Sequence, residues 1–137
     1  MACCKGSASW FCCYPDNCGC DQGCCQGSCC SCGCSSSTKM GVGACCTCNS
    51  GDWKFAWRTA ALGCGTPCGV TYACGERTYF NHDASCTVWA PGTRADTGPA
   101  CGLGRMVDFT KSLFMQFAPL SAGIITNVKA DPNVGCC

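Results

Sequence analysis

Alternating hydrophobic and polar residues predict short β-strands in the second half of the chain. Residues 53–59 place Trp53, Phe55 and Trp57 at every second position, which is the period of a strand with one buried face. Further short hydrophobic stretches next to glycine or proline also predict strands, at residues 70–72, 86–90 and 123–129. Many short strands favour a small, mainly β barrel.

One segment, residues 110–117, has the pattern of a short helix. Thr110 can cap its first turn, and Leu113, Phe114 and Phe117 fall on one face. A proline follows two residues later and ends the helix. We therefore expect one short helix beside the strands.

The first third of the chain has a different composition. Residues 12–48 are mostly cysteine, glycine and serine, and residues 1–48 hold fifteen of the 22 cysteines. A segment with so few aliphatic side chains cannot bury an apolar core. Covalent bonds or bound metal must order it, if anything does.

Twelve of the cysteines form six adjacent pairs. Neighbouring Cα atoms lie about 3.8 Å apart, closer than the roughly 4.4–6.8 Å of a relaxed disulfide, so each pair favours two bonds to two different partners. Five cysteines lie in residues 49–135, an odd number. At least one of them must therefore bond to the cysteine-rich stretch, the tail or another chain.

Charge excludes two classes of partner. The net charge is +1, without a basic stretch, so nothing favours nucleic acid or an anionic membrane. No apolar run approaches the roughly 20 residues of a membrane span. Charged residues are only 12% of the chain, a composition that suits packing against other copies.

The cysteine content predicts an oxidising destination, either extracellular or at a cell or spore surface. Met1 leads directly into Ala2-Cys3-Cys4 without the pattern of a signal peptide. We interpret the chain either as the mature form of a secreted protein or as a protein oxidised after release from the cell that makes it.

Several segments in fixed order carry a family resemblance: Gly6–Phe11, Thr59–Ala61, Ala95–Pro99, Gly104–Thr110 and Gly123–Val128. Together they resemble the rare lipoprotein A-like double-psi β-barrel, whose superfamily includes barwin-like proteins and expansins. The resemblance implies a single domain over residues 1–137, a six-stranded double-psi barrel with one short helix. The segments that would form the barrel are about residues 6–11 and 53–130. On this resemblance we expect residues 12–52 to form a disulfide-rich, irregular insertion, and residues 131–137 a tail ending in Cys-Cys.

The resemblance also implies where glycan-cleaving chemistry would lie, and the sequence departs from it. Asp96 stands at the aspartate of the family's Asp-x-Gly-Pro turn, but Leu62 stands at its histidine and cannot transfer a proton. His82 lies on another segment. Asp108 or Asp83 could pair with Asp96 as acid and base, although Asp108 also suits a helix start. We therefore predict no enzymatic activity, with Asp96 and Asp108 as weak catalytic candidates.

Four aromatic residues could stack on sugars or form an interface, although alternating strand aromatics more often lie in a core: Trp53, Trp57, Tyr79 and Trp89. C-x-C spacings such as Cys18-Gly-Cys20 also occur in thiolate metal clusters. A segment so rich in cysteine produces such spacings by chance, so we predict neither a metal site nor a cofactor.

The sequence thus favours a structural protein that assembles with its own copies into an extracellular fibre, coat or matrix. Cysteines at mobile chain ends can reach a neighbour, so the candidates for intermolecular bonds are Cys3, Cys4, Cys136 and Cys137. The alternative is a secreted module that binds cell-wall polysaccharide or cuts it weakly. A third hypothesis is a thiolate metal-binding protein.

Overall fold

The computed structural model describes residues 4–11, 45, 53–59, 63–82 and 85–135. The predicted insertion lies outside the described residues except for Cys45. The same holds for several residues named above: Cys3, Leu62, Asp83, Cys136 and Cys137.

The described residues contain six strands and a short α-helix: β1 (Cys4–Phe11), β2 (Lys54–Trp57), β3 (Arg77–Asn81), β4 (Ala90–Asp96), β5 (Val107–Thr110), α1 (Lys111–Phe114) and β6 (Ile124–Ala130). Three 3-10 turns connect them: Pro67–Gly69, Cys101–Leu103 and Leu120–Ala122.

The strands close into a barrel in the order β1-β5-β2-β4-β3-β6. β1 is parallel to β5 and β2 is parallel to β4, whereas the other neighbours are antiparallel. β1 and β2 flank β5, while β4 and β5 flank β2, so the β1–β2 and β4–β5 connections each cross one strand. These interlocked crossovers form a double-psi barrel. The predicted fold class is confirmed: mainly β, six strands, and one short helix within the described part.

Three strand predictions are confirmed, with small changes of boundary. The first strand covers the predicted residues 6–11, the second lies within residues 53–59, and the last coincides with residues 123–129 to within one residue. In β2 the predicted buried residues Phe55 and Trp57 are 0% and 1% exposed, but Ala56 between them is also only 4% exposed and Trp53 lies outside the strand.

Two strand predictions are wrong because local turns replace the strands. Residues 70–72 follow a 3-10 turn in irregular structure, although Tyr72 is buried. In residues 86–90, Cys86 has a φ of 59°, and the indole N–H of Trp89 donates to the Cys86 carbonyl at 3.1 Å. The strand therefore begins only at Ala90. The sequence analysis also missed β3, where Thr78 and Phe80 alternate inward.

The helix is shorter than predicted. α1 ends at Phe114 and continues as turns, in which the N–H of Phe117 donates to the Phe114 carbonyl at 2.9 Å. Thr110 occupies the position before the helix, but its side chain makes no capping bond to it. Its hydroxyl instead donates to the carbonyl of Lys54 at 3.1 Å and so ties β5 to β2.

The barrel interior is filled by aromatic rings. The Phe55 ring makes edge contacts with Trp57, Tyr72 and Phe80, with centroids 6.1, 5.6 and 5.0 Å away. Leu113 of the helix reaches the same core. Gly92 permits this closure, because a Cβ there would lie 2.9 Å from Leu113 and 3.1 Å from Phe55.

Three disulfides with both cysteines among the described residues connect segments around this core: Cys4–Cys68, Cys45–Cys74 and Cys64–Cys101. Cys86 is disulfide-bonded as well. The prediction that a cysteine of residues 49–135 bonds outside that stretch is therefore confirmed by Cys68 and Cys74. Within the described residues, no helix has the length and apolar character needed to span a bilayer.

Candidate functional site

A row of four residues crosses the outer face of the barrel and contains both candidate aspartates. The register pairs Ser9 with Asp108, Asp108 with Ala56, and Ala56 with Asp96. Phe55 and Phe109, the strand neighbours of Ala56 and Asp108, are fully buried in the core. Because side chains alternate along a strand, Ala56 and Asp108 face outward. We call these four residues the polar row.

Both carboxylates of the polar row already have hydrogen-bond donors. The Ser9 hydroxyl donates to Asp108 Oδ1, and the backbone N–H of Thr97 donates to Asp96 Oδ1 at 2.8 Å. Asp96 is thus a turn carboxylate. Asp108 lies in β5 and bonds across to β1, rather than standing at the helix start as expected.

The spacing and exposure of the polar row limit its chemistry. Asp96 and Asp108 are two strand spacings apart, so their backbones are separated by about 10 Å. Ala56 lies between them in the row, so the two aspartates are not directly paired across neighbouring strands. Ser9 and Ala56, which lie in the same row, are only 3% and 4% exposed. A sugar therefore has little access to the middle of the row.

A buried arginine fixes the turn that carries Asp96. Arg94 is 7% exposed. Its guanidinium donates to the carbonyl of Tyr72 at 2.9 Å, to the carbonyl of Asp96 at 3.2 Å and to the Thr97 hydroxyl at 2.9 Å. Burial also raises the pKa of Tyr72 above its ordinary value of 10.0, although the hydrogen bond with Thr78 partly opposes the increase. The hydrogen bonds of Arg94 therefore stabilise the turn that carries Asp96.

Sequence reasoning missed Ser9 and Arg94. Ser9 lies in the Gly-x-Ala-Ser-Trp segment that carried the family resemblance, but its position beside Asp108 depends on the pairing of β1 with β5. Arg94 falls just before the Asp-x-Gly-Pro turn and looks like a surface cation in the sequence. Only the barrel order could have identified both.

His82 is separate from the polar row. It lines a small pocket of about 180 Å³ with Val88, Gln116 and Phe117. Its Nδ1 atom is buried and has no hydrogen-bond partner among the described residues. The structure therefore does not bring the histidine together with Asp96 or Asp108.

The four candidate aromatics divide into one core residue and three outer ones. Trp57 is 1% exposed, and its indole N–H donates to the Val70 carbonyl at 2.9 Å, so it cannot stack on a ligand. Trp53 is 36% exposed, and Tyr79 and Trp89 are half-buried. The three outer residues follow β4: Trp89 precedes it, Tyr79 pairs with Pro91, and the Trp53 carbonyl accepts from the Thr93 N–H. We call these three residues the aromatic edge.

One of the four candidates for an intermolecular disulfide is excluded. Cys4 bonds to Cys68 of the same chain and is 1% exposed, so it cannot bond to another copy. The remaining candidates, Cys3, Cys136 and Cys137, lie outside the described residues. Within the described part, no group of three or more potential ligand side chains could hold a metal ion.

Comparisons with known proteins bear on the fold. No family model and no curated protein match the chain. Among solved structures, the chain is similar to Streptomyces papain inhibitor (SPI), with a TM-score of 0.53 and 15% identity over 95% of this chain and 93% of that one. Identity this low supports a shared barrel fold and nothing more specific.

Proposed function

We propose that the chain is an extracellular structural protein whose copies pack together and are cross-linked by disulfides into a fibre, coat or matrix. The observation that carries the proposal is the use of cysteine. All seven cysteines of the described residues are disulfide-bonded, and the chain has 22. Oxidised cysteines persist outside reducing compartments.

The barrel itself does not need so many cross-links. Its interior is already closed by large side chains, of which Trp57, Phe55, Phe80, Phe109 and Phe114 are less than 2% exposed. Typical domains have a free energy of unfolding of about 5–15 kcal/mol, and one disulfide contributes about 2–4 kcal/mol. More disulfides than the barrel needs for its folding stability favour kinetic stability and linkage between copies.

The outer surface offers non-covalent contacts for packing. Large apolar side chains are exposed at several positions: Trp53, Val88, Leu103, Met115, Ile124 and Val134. Among them, Trp53 belongs to the aromatic edge and Val88 adjoins it through Trp89. Since few charged side chains oppose association, we propose the aromatic edge as a contact between copies.

The test compares native material on gels with and without reductant. We expect a ladder or material that does not enter the gel without reductant, and a single band near 14.2 kDa with it. Replacing Cys3, Cys136 and Cys137 by serine should abolish the ladder. The matched control Cys64→Ser with Cys101→Ser removes an intrachain disulfide and should keep it. A monomer without reductant would reject the proposal.

A second candidate function follows from the fold likeness, which covers 95% of this chain and relates it to a protein named as a papain inhibitor. On this candidate the barrel binds a cysteine protease and blocks its active site. Papain activity on a small peptide substrate should then fall with the molar ratio of added protein. Full papain activity at about tenfold molar excess would reject this candidate.

The aromatic edge also allows a test of the polysaccharide alternative. Native protein would be mixed with insoluble peptidoglycan and with cellulose, and the unbound fraction measured. Under our proposal the protein stays unbound or pellets equally without polysaccharide. Binding that is lost in Trp53→Ala, with Leu103→Ala as an exposed control outside the aromatic edge, would favour the polysaccharide-binding module instead.

A further inference from the structure

A cleft of about 300 Å³ lies beside β1, away from the aromatic edge. Lys5 and Ser7 of β1 form part of its wall, and Arg58 and Arg105 form another part. Its volume is at the lower end of the range for small-molecule sites. We call it the cationic cleft.

The charges of the cationic cleft all have one sign. Lys5, Arg58 and Arg105 line it, and among the described residues no carboxylate does. The described carboxylates belong to Glu76, Asp96, Asp108 and Asp131, and none of them lines it. Three cations that converge without an acid attract an anion, because a concave wall of low polarity focuses their field.

The two arginines have different roles. The Arg58 side chain donates to three backbone carbonyls, those of Gly65, Pro99 and Arg105, at 3.0, 3.4 and 3.2 Å. These carbonyl oxygens hold the guanidinium in place but carry no full negative charge to neutralise it. Arg58 is therefore a fixed positive charge in the wall.

Arg105 has a hydrogen-bond donor that is unsatisfied within the described residues. Its Nε atom is buried and has no acceptor among the described residues. A buried N–H without an acceptor is costly, and Arg105 as a whole is half-buried, so its guanidinium is partly accessible from the cleft. An anion in the cationic cleft would compensate the charge of this guanidinium.

The walls of the cleft are held rigidly. Cys68 and Cys101 line it, and each belongs to an intrachain disulfide. Gly6 packs so closely on Met106 that a Cβ at this glycine would lie 2.5 Å from the Met106 Cβ. The Ser7 hydroxyl donates to the Gly104 carbonyl at 3.1 Å. A preformed wall loses little entropy when a ligand binds.

We propose that the cationic cleft binds an oxyanion group, a phosphate, sulfate or carboxylate, through Arg105 and Lys5, with Arg58 as a fixed charge. Arginine and lysine are the side chains that bind such groups, arginine through paired N–H donors and lysine as a point charge. The volume leaves room for a small organic body attached to the anionic group. This site is independent of cross-linking between copies.

The test is equilibrium dialysis of the oxidised protein against labelled inorganic phosphate at low ionic strength, which works for monomers and assemblies alike. We expect saturable binding with a dissociation constant of about 1 mM or lower. Sulfate, acetate and glucose 6-phosphate would be added as competitors. Stronger competition by glucose 6-phosphate than by sulfate would show that the organic body contributes, whereas stronger competition by acetate would assign a carboxylate.

Three variants locate the site. Arg105→Gln keeps the backbone carbonyl that Arg58 uses and should weaken phosphate binding about tenfold, whereas Lys5→Gln should weaken it about twofold to threefold. Arg77→Gln removes an exposed cation of β3 and should change nothing. Near-ultraviolet circular dichroism and a free-thiol count would verify that each variant is folded and oxidised. Absence of saturable binding, or equal losses in Arg105→Gln and Arg77→Gln, would overturn the proposal.

Discussion

The barrel interior and the disulfides around it hold the same fold by different physical means. Phe55 contacts three other aromatic rings and is 0% exposed, so it stabilises the folded state through burial and packing. The disulfides join residues 29 to 64 positions apart and act mainly by restricting the unfolded chain. Core packing is insensitive to redox conditions, whereas the stabilisation by disulfides is lost when a reductant is added.

Exposure also separates the two regions. The core side chains are inaccessible to solvent, but Cys64, Cys68, Cys74 and Cys101 are all exposed. Cys45 is half-buried, and Cys4 is 1% exposed and packs near Met106. The described disulfides thus form a covalent outer layer over an apolar interior, and Cys4–Cys68 is the one that reaches into the core.

Truncating the centre of the core should have the largest effect. We expect Phe55→Ala to lower the free energy of unfolding by about 3–5 kcal/mol, because it removes the packing partner of three rings and leaves a cavity. Urea unfolding of the oxidised protein, followed by tryptophan fluorescence, measures this loss. Val88→Ala, at an exposed position, is the control and should cost less than 1 kcal/mol. A small loss for Phe55→Ala would mean that the disulfides alone hold the barrel.

Removing the longest described cross-link should have the next largest effect. The double variant Cys4→Ser with Cys68→Ser opens a loop of sequence separation 64, for which the chain-entropy relation gives about 4 kcal/mol. Other disulfides shorten the effective loop, so we expect about 2–4 kcal/mol. The matched variant Cys45→Ser with Cys74→Ser, of separation 29, should lose less. The reverse order would show that native contacts, rather than loop length, set the contribution.

The same comparison explains which parts of the fold were predictable from sequence. β2 was visible because its alternating aromatic residues follow the period of a strand, whereas β1 was identified from the family resemblance and β6 from a short hydrophobic stretch after a glycine. The predicted strand at residues 86–90 failed because the turn at Cys86 depends on its φ of 59°, which a cysteine does not signal. β3 was missed although Thr78 and Phe80 both point inward. Thr78 is polar, so only Phe80 stands out as a buried residue in the sequence.

The candidate site was less predictable than the fold. Asp96 and Asp108 were identified as candidates, but their separation by Ala56 follows from barrel register, which links residues 40 or more positions apart. The cationic cleft was missed for the same reason. Lys5, Arg58 and Arg105 are scattered in sequence and meet only when β1, β2 and β5 are neighbours.

The order in which disulfides are reduced tests the layered arrangement more finely. Both cysteines of Cys64–Cys101 are exposed, whereas Cys4–Cys68 has one buried end. Thiol–disulfide exchange requires access to sulfur, so we expect Cys64–Cys101 to be reduced about tenfold faster in the folded protein. Brief treatment with reductant, followed by alkylation and peptide mass spectrometry, gives the two rates. Equal rates would indicate that the barrel opens before either disulfide is attacked.

The smallest expected effect concerns the ionisation of Tyr72 at the edge of the core. Burial raises its folded-state pKa above the unfolded value of 10.0, so the folded state holds this proton more tightly. Its contribution to stability is complete below pH 10 and is lost as the pH rises through the folded-state pKa. We expect urea unfolding at pH 8–11, without added thiol, to show stability falling above about pH 10. Tyr72→Phe should be less stable at pH 8, because the hydroxyl bond with Thr78 at 3.1 Å is lost, yet should fall less steeply above pH 10. If stability fell equally steeply with pH in Tyr72→Phe and in the unaltered protein, the Tyr72 hydroxyl would be as accessible to solvent as the outer disulfides. Tyr72 would then not belong to the buried core.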